Sequence, residues 1–225
     1  MSPGPSGGDT RPDPVAGPWD LDGDVIEQVR TSGRAAVAVY PHPGTAAVIG
    51  HGGDPWVETR PDVLAADGVP LRRRRGGGCA VVVDPGNLVC SVVLPLPGIA
   101  GITRAFAAIS GVMAAALAEA GLPGVTQEGT SDLAVGGRKL GGSCIWRTRG
   151  ILYYSTTVLV DPDLDLIDRY LPHPPREPAY RAGRRHGEFL TTCRREGLNT
   201  PAPALAAALT GGLTSRLGDL GAISS

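Results

Sequence analysis

Lys139 stands between two pairs of glycines, and this setting suits it to chemistry on an anionic or carbonyl group. The pairs lie at 136–137 and 141–142, and Asp132 precedes them at the start of a short apolar run. Glycine lets a ligand approach the backbone closely, so a lysine here can reach a bound group. The alternative is an ordinary hairpin with a solvated Arg-Lys tip, which the segment taken alone favours.

Four arginines lead directly into three glycines at 72–78, and an apolar run follows them. Basic runs usually lie in tails or on solvated helix faces, whereas this one adjoins a bare backbone and a core strand. Exposed backbone N–H groups beside guanidinium groups form a site for anions. The spacing is not that of a P-loop, because GxxxxGK followed by Ser or Thr is missing. This second segment therefore favours a functional role for Lys139.

Short strands and a few helices are predicted to position these residues. The glycine pair at 136–137 predicts the turn of a hairpin whose first strand begins at Asp132. Runs of β-forming residues predict further strands at 35–40, 46–50, 88–94, 144–147 and 151–160. Helical spacing predicts a core helix at 103–120 and helices near 19–29, 162–171, 186–196 and 201–210. The proline-rich stretch at 172–178 is expected to wrap the surface.

The composition is that of a globular chain with a core of small aliphatic residues. Of 225 residues, 42% are hydrophobic and 19% are charged, which permits one packed domain. We expect a disordered tail at 1–18 and a single domain at 19–225, without room for an accessory C-terminal domain. Neither an apolar run of about 18 residues nor a signal peptide is evident, so we expect a cytoplasmic location and no membrane partner.

Charge and cysteine content argue against several other classes of protein. The net charge of -1 carries no global signature of nucleic-acid binding, and no nucleic-acid partner is expected. The four cysteines, Cys79, Cys90, Cys144 and Cys193, lie far apart without a CxxC pair. Their spacing therefore predicts neither a zinc site nor a disulfide framework.

The order of these motifs resembles that of the biotin/lipoate protein ligase family, in its lipoate–protein ligase and octanoyltransferase branch. The resemblance covers roughly residues 35–196, and it depends most on the arginine-glycine run at 72–78 and on Gly-Arg-Lys-Leu-Gly-Gly-Ser at 137–143. Asp-Pro-Gly-Asn at 84–87 and Asp-Pro-Trp at 54–56 support it. The resemblance implies a mixed α/β (α+β) domain with a mainly antiparallel sheet and flanking helices, like the catalytic core of class II synthetases.

The family resemblance also implies a reaction. Lipoate or octanoate would condense with ATP, assisted by Mg²⁺, to an acyl-adenylate, which a lysine of a lipoyl carrier domain then attacks. Lys139 would contact the acyl carbonyl and the phosphate, where a cation stabilises developing negative charge. Asp132 would lie beside the phosphates, as a contact to Mg²⁺. The residues implied in binding substrate or nucleotide are Arg73, Arg74, Gly76, Gly77, Gly78, Asp132 and Ser143.

Several positions depart from the family pattern. One extra residue between Gly78 and Asp84 leaves open whether Arg73 or Arg74 is the pocket arginine. The usual Asn-Asp before the lysine is Ser131-Asp132 here, and the usual His-His-Gly is Tyr-Tyr-Ser at 153–155. These departures leave open whether adenylation is retained, lost, completed by an accessory ligase subunit, or replaced by direct acyl transfer.

Acyl transfer is the main alternative, with an octanoyl acyl carrier protein as donor. Octanoyltransferases of this fold hold the acyl group as a cysteine thioester, and Cys144 or Cys79 would serve here. A cysteine in a core strand is more often a small apolar residue of the packing. A third alternative is a degenerate member that binds lipoyl groups or nucleotide without turnover, and the retention of Lys139 argues against it. Biotin ligation is less expected, because the Gly-Arg-Gly-Arg pattern of that branch is absent.

A second basic cluster contains Arg181, Arg184 and Arg185. We expect these arginines to take no part in catalysis and to steer an acidic carrier domain by long-range attraction. On that hypothesis the rate of acyl transfer falls as salt is added.

Overall fold

Nine strands in two sheets make up the β-structure of the computed structural model, which describes residues 12–96, 102–148 and 150–224. The strands are β1 Ala36–Pro41, β2 Ala46–Ile49, β3 Leu71–Arg73, β4 Val81–Val83, β5 Asn87–Pro95, β6 Thr126–Glu128, β7 Asp132–Val135, β8 Arg138–Thr148 and β9 Ile151–Leu159. The larger sheet has the order β1-β5-β9-β8-β7-β6 and is antiparallel throughout. The smaller has the order β3-β2-β4, with β2 and β3 parallel. The expected mixed, mainly antiparallel architecture is confirmed.

Helices flank both sheets. They are α1 Gly23–Ser32, α2 Pro55–Glu58, α3 Pro61–Ala66, α4 Ile102–Glu119, α5 Asp165–Tyr170, α6 His186–Phe189 and α7 Ala202–Ser215, with 3-10 helices at Ala179–Arg181 and Leu217–Ser224. Local sequence explains several ends. Gly33 ends α1 in the left-handed region at φ 66°, and the Asp54 side chain accepts from the Trp56 N–H to cap α2.

The long helix α4 packs in the main core, as its apolar spacing predicts. Its buried face includes Phe106, Ile109, Met113 and Leu117, which pack with residues of the larger sheet and of α7. By length and composition alone α4 could cross a membrane, contrary to the expectation that the chain holds no such run. The buried helix of a globular core passes the same test, and the packing of this face accounts for the apolar composition.

The segment at 16–19 runs alongside β3, so the predicted tail at 1–18 differs from the structure in its last residues. The Ala16 N–H donates to Leu71 O at 2.8 Å, and the Trp19 N–H donates to Arg73 O at 2.8 Å. Because β3 is an edge strand, its backbone groups need partners, and this segment supplies them. Residues 1–11, the rest of the predicted tail, lie outside the described residues.

Helix α6 is shorter than predicted, because it ends at Phe189 rather than continuing to 196. Leu190 instead forms an isolated bridge with Lys139, and the Thr191 N–H donates to Lys139 O at 2.8 Å. A backbone bonded to a neighbouring strand cannot also continue a helix. This pairing joins the end of the segment at 171–190 to the hairpin that carries Lys139.

Candidate functional site

A cavity of about 480 Å³ opens where β4, β8 and β9 meet the segment at 171–190. Its walls combine polar residues, such as Thr130, Ser131 and Asp132, with apolar ones, such as Val82 and Ile167. Of the ten residues predicted for catalysis, substrate binding or a thioester, seven line it: Arg74, Gly78, Cys79, Asp132, Lys139, Ser143 and Cys144. Arg73, Gly76 and Gly77, also singled out, are not among its lining residues. The two glycine-rich basic segments therefore meet at one cavity.

Lys139 and Asp132 form an ion pair at the cavity wall. The Lys139 Nζ lies 2.8 Å from Asp132 Oδ1, and the Tyr180 hydroxyl donates to Asp132 Oδ2 at 2.9 Å. An irregularity in the pairing of β7 with β8 leaves Leu140 as an extra residue, because Leu133 pairs with Gly141 and Ala134 with Lys139. Such a bulge changes the direction of neighbouring side chains, and here it brings the lysine to the face that carries the aspartate.

Gly142 leaves the space that this ion pair occupies. It pairs directly with Asp132 across the two strands. A Cβ atom at Gly142 would lie 3.0 Å from Lys139 Nζ and 3.7 Å from Asp132 Oδ1. Gly142, one member of the glycine pair at 141–142, thus makes room for the lysine side chain.

Arg74, rather than Arg73, borders the cavity. Its side chain is buried, and its guanidinium donates to the carbonyls of Gly77 and Cys79 at distances of 2.7 Å and 2.9 Å. Arg73 instead donates to the backbone carbonyls of residues 50, 51 and 53, which fixes the loop after β2. Arg74 thereby holds the three-glycine loop in the shape that forms one cavity wall.

Cys144 lies behind this loop, in contact with it. A Cβ atom at Gly76 would lie 2.6 Å from the Cys144 Sγ, so only glycine lets the loop pack this closely. Burial raises the pKa of the Cys144 thiol, although the Arg74 guanidinium beside it opposes the shift. Cys79 is only half buried, and its thiol donates weakly to Arg176 O at 3.6 Å. Burial therefore disfavours the thiolate form of Cys144.

Tyr153 and Tyr154 occupy the place of the family's His-His-Gly and point to opposite sides of β9. The hydroxyl of Tyr154 is 2.7 Å from Ser143 Oγ, and burial raises the pKa of Tyr154 to about 12. The Tyr153 hydroxyl donates to the buried Asp22 carboxylate at 2.6 Å. The hydroxyl of Ser143, singled out as a binding residue, is thus already engaged with a phenol.

The segment at 171–190 forms a wall of the cavity, which the sequence did not indicate. The stretch at 172–178 was expected to wrap the surface, but several of its prolines and Glu177 line the cavity. Arg181, expected in an exposed steering patch, is only 4% exposed and lines the cavity too. Its charge is enclosed because the Phe189 ring packs against it, with the guanidinium carbon 4.9 Å from the ring centroid.

Arg184 and Arg185 differ from Arg181 in their surroundings. Arg184 donates to Gly137 O at 3.0 Å and to Tyr180 O at 2.6 Å, which fastens the segment at 171–190 to the β7–β8 turn. Arg185 is exposed. Neither is among the residues that line the cavity.

A sequence model of the lipoyl protein ligase A/B catalytic domain matches residues 14–194. The chain belongs to this family. The lipoyl protein ligase resemblance drawn from the motifs is thereby confirmed, and the match covers both basic segments and the segment at 171–190.

Two of the chain's relatives illustrate the similarity. A protein of Aeropyrum pernix, provisionally named lipoate-protein ligase A, is 31% identical over 144 residues, which are 63% of this chain and 53% of that protein. Lipoate-protein ligase A of Psychrobacter cryohalolentis is 34% identical over 128 residues, 56% of this chain and 36% of that protein. The matched part of this chain therefore spans about half of the length of the A. pernix protein and about a third of the length of the P. cryohalolentis protein.

Solved structures of lipoate ligases share the fold. A bipartite lipoate protein ligase studied with its E2 lipoyl domain, from Thermoplasma acidophilum, has a TM-score of 0.73 at 21% identity over 90% of this chain and 82% of that one. A T. acidophilum ligase structure with bound lipoic acid has a TM-score of 0.71 at 22% identity, over 86% and 78%. A lipoate-protein ligase A bound with ATP has a TM-score of 0.70 at 23% identity, also over 86% and 78%.

Proposed function

We propose that this chain is a lipoate–protein ligase that activates lipoate or octanoate with ATP and transfers the acyl group to a lysine of a lipoyl carrier domain. The observation that carries the proposal is the Lys139–Asp132 ion pair at the wall of a cavity of about 480 Å³, in a chain of this family. The names of its relatives and the lipoate and ATP bound in structures of the same fold agree with it.

In the first step, a carboxylate oxygen of the acyl substrate attacks the α-phosphorus of ATP, and pyrophosphate leaves with the electron pair of the broken P–O bond. Negative charge builds up on the phosphoryl oxygens. Lys139 is the cation placed to stabilise that charge, while Asp132 and Tyr180 hold its side chain in position beforehand.

In the second step, the carrier lysine attacks the acyl carbonyl as a free amine, a tetrahedral intermediate forms, and AMP leaves. The amine loses a proton when the amide forms. The same Lys139 ammonium stabilises the oxyanion and the departing phosphate, so a single lysine serves both steps.

The apolar part of the cavity suits a medium-length acyl chain. Val81, Val82, Leu159 and Ile167 line it, and its volume lies within the usual range for small-molecule sites. Burial of methylene groups against these side chains would contribute most of the affinity for octanoate or the lipoyl chain.

Magnesium fits this site only as a companion of the nucleotide. Among the described residues, no group of three His, Cys, Asp or Glu side chains is placed to hold a metal ion. Both oxygens of Asp132 are engaged, by Lys139 and Tyr180. Mg²⁺ often binds through phosphates, water and one or two carboxylates, and it neutralises phosphate charge. Each carboxylate oxygen can accept more than one contact, so Asp132 is the one carboxylate that we assign to contact Mg²⁺.

The partners in this proposal are a lipoyl carrier domain and an accessory ligase subunit. The T. acidophilum neighbour is a bipartite ligase studied with its E2 lipoyl domain, which supports both by analogy. We also propose that residues 19–225 act as one catalytic domain, and that the reaction takes place in the cytoplasm.

Octanoyl transfer from an acyl carrier protein is the second candidate, because Cys79 and Cys144 both line the cavity. The raised pKa of Cys144 disfavours its thiolate, which is the nucleophilic form. Cys79 is then the better thioester candidate. A non-catalytic role is disfavoured by the retention of Lys139 and of the arginine-glycine run, both of which contribute residues to the cavity wall.

Intact mass spectrometry of a lipoyl-domain acceptor separates these functions. Three donors are compared: octanoate with Mg-ATP, preformed octanoyl-AMP, and octanoyl acyl carrier protein without ATP. The ligase proposal expects an octanoyl mass gain from the first two donors. A gain from octanoyl-AMP alone assigns activation to a partner subunit. A gain from the acyl carrier protein alone, with a thioester on Cys79 or Cys144, contradicts the ligase proposal.

A further inference from the structure

Arg181 is a buried cation in the cavity wall, and one of its guanidinium nitrogens has no hydrogen-bond partner in the part of the chain that the structure describes. Its Nε donates to Arg184 O at 3.0 Å and lies 3.3 Å from Glu177 Oε2. Its Nη2 is buried and has no hydrogen-bond partner among the described residues. The residue is 4% exposed and lines the cavity. A buried guanidinium with an unmet N–H group, in a residue that lines a cavity, is the arrangement expected where an acceptor binds.

The protein neutralises this charge only in part. Glu177 is shared, because its Oε1 accepts from the Gly183 N–H at 2.9 Å and its Oε2 is 3.0 Å from the His173 ring. Burial lowers the pKa of Arg181, although the carboxylates of Glu177 and Asp168 oppose the shift. A buried cation with an incomplete set of partners is costly for the free protein, and an anionic ligand would remove that cost.

The position of Arg181 indicates which anion it would meet. The residue before it, Tyr180, donates to Asp132, which is paired with Lys139. Phe189 packs against both Tyr180 and Arg181, with the two ring centroids 5.0 Å apart. The two cations of the wall are thus linked by a short chain of contacts. A ligand with several negative groups, such as a polyphosphate, can engage both, whereas a single carboxylate offers one group.

We propose that Arg181 binds the polyphosphate tail of the nucleotide and holds the pyrophosphate as it leaves. The inference rests on the ligase function proposed above. Lys139 would act at the phosphate that receives the acyl oxygen, and Arg181 at the phosphates that depart. Guanidinium groups suit this task because their N–H groups match phosphate oxygens in pairs.

Binding of inorganic pyrophosphate to the purified chain, measured by calorimetry, tests the inference without any acyl transfer. The Arg181→Gln variant is expected to bind pyrophosphate about tenfold more weakly than the wild type, the effect of losing one charged contact. Arg181→Lys keeps the positive charge but lacks the paired N–H groups of the guanidinium. Its affinity for pyrophosphate is expected to lie between those of the wild type and Arg181→Gln. In turnover with Mg-ATP, Arg181→Gln raises KM for ATP more than it lowers kcat.

Arg184→Gln is the matched control. Arg184 also lies over the Phe189 ring, at 5.3 Å, and also bonds the backbone of this segment, but it does not line the cavity. Replacing Arg184 shows how far a loosened cavity wall by itself weakens pyrophosphate binding. The affinity of Arg184→Gln for pyrophosphate is expected to stay within about twofold of that of the wild type. Equal losses in Arg181→Gln and Arg184→Gln would overturn the inference, because a structural role explains both.

The inference about Arg181 and the ligase proposal can fail independently of each other. If the acceptor gains mass with ATP while pyrophosphate binding is the same with and without Arg181, the inference alone is wrong. If pyrophosphate binding depends on Arg181 while no donor yields an acylated acceptor, the anion site stands and the ligase proposal is wrong.

Discussion

The ammonium of Lys139 lies 2.8 Å from the carboxylate of Asp132, across the bulged pairing of β7 with β8. Gly142, which pairs with Asp132, has no side chain to fill the space that the ion pair occupies. The pair is mostly buried, with 24% of the lysine side chain and 11% of the aspartate side chain exposed. An incoming phosphate competes with Asp132 for the same ammonium. On the proposed mechanism, the aspartate would position the lysine before the nucleotide arrives, so that the site is preorganised.

Gly142→Ala should lower acyl transfer while leaving the fold nearly intact. The new methyl group would meet the far end of the Lys139 side chain at 3.0 Å, and a flexible chain can move away at little cost in stability. Displacing the ammonium by such a step is expected to reduce kcat by about tenfold to a hundredfold. Thermal unfolding and acceptor mass gain, measured on the same preparation, check the expectation. Wild-type rates in this variant would contradict the preorganised pair.

Gly141→Ala is the matched comparison one residue earlier. Its Cβ atom would lie 2.4 Å from Thr157 O, a backbone atom of β9 that cannot move alone. We expect a loss of stability of about 1–3 kcal/mol, the usual cost of overpacking. Denaturant unfolding should therefore separate the two glycines, with Gly141→Ala less stable and Gly142→Ala less active. The reverse order would show that the close contacts at these glycines are misassigned.

Cys144 should be slow to react with alkylating reagents and dispensable for ATP-dependent transfer. Its raised pKa means that little thiolate is present near pH 8, so iodoacetamide should label the half-buried Cys79 first. Peptide mapping of alkylated protein measures this order. The Cys144→Ala variant is expected to retain ATP-dependent acyl transfer within about threefold. Its loss, together with an acyl thioester on Cys144 of the wild type, would favour the transferase function.

The stability of the protein should decline as the solution becomes acidic, because two histidines are buried. Burial lowers the pKa of His186, against the hydrogen bond of its Nδ1 to Asp168 at 2.9 Å, and burial also lowers the pKa of His42. The unfolded chain then binds more protons, so their contribution is complete above about pH 6.5 and is lost as the pH falls toward the folded pKa values.

Urea unfolding at about pH 7.5 and about pH 5.5 measures this decline. Replacing His42 and His186 together by Gln should flatten the pH dependence over that interval relative to the wild type. An equally steep decline in the double variant would assign the effect to carboxylates instead.

The sequence predicted the parts of the site that depend on local pattern. Lys139 and Asp132 were recognisable because glycine pairs and an apolar run mark a hairpin over a few neighbouring residues. The choice between Arg73 and Arg74 was not recognisable, because the extra residue before Asp84 allows two alignments. The fold separates them, since Arg73 turns to the loop after β2 and Arg74 to the three-glycine loop.

The role of the segment at 171–190 depends on distant contacts and could not be predicted from its composition. Arg184 bonds Gly137 O, and Tyr180 bonds Asp132, both more than forty residues earlier. Arg181 was expected to steer an acidic carrier domain by long-range attraction, whereas Phe189 and the cavity wall enclose it. The end of α6 at Phe189 has the same origin, because Leu190 pairs with Lys139.

The most direct test of the account is the octanoyl mass gain of a lipoyl-domain acceptor with the Lys139→Ala variant, given octanoate with Mg-ATP or octanoyl-AMP. Arg138→Ala is the control, because the neighbouring Arg138 pairs with Glu196 at 2.7 Å and does not line the cavity. The account predicts that Lys139→Ala slows transfer by about a hundredfold or more. Its unfolding free energy is expected to fall by no more than about 3–5 kcal/mol, the cost of leaving the mostly buried Asp132 carboxylate without its partner. Arg138→Ala should be close to wild type in both measurements. Near-normal transfer by a folded Lys139→Ala variant would contradict the central role given to this lysine.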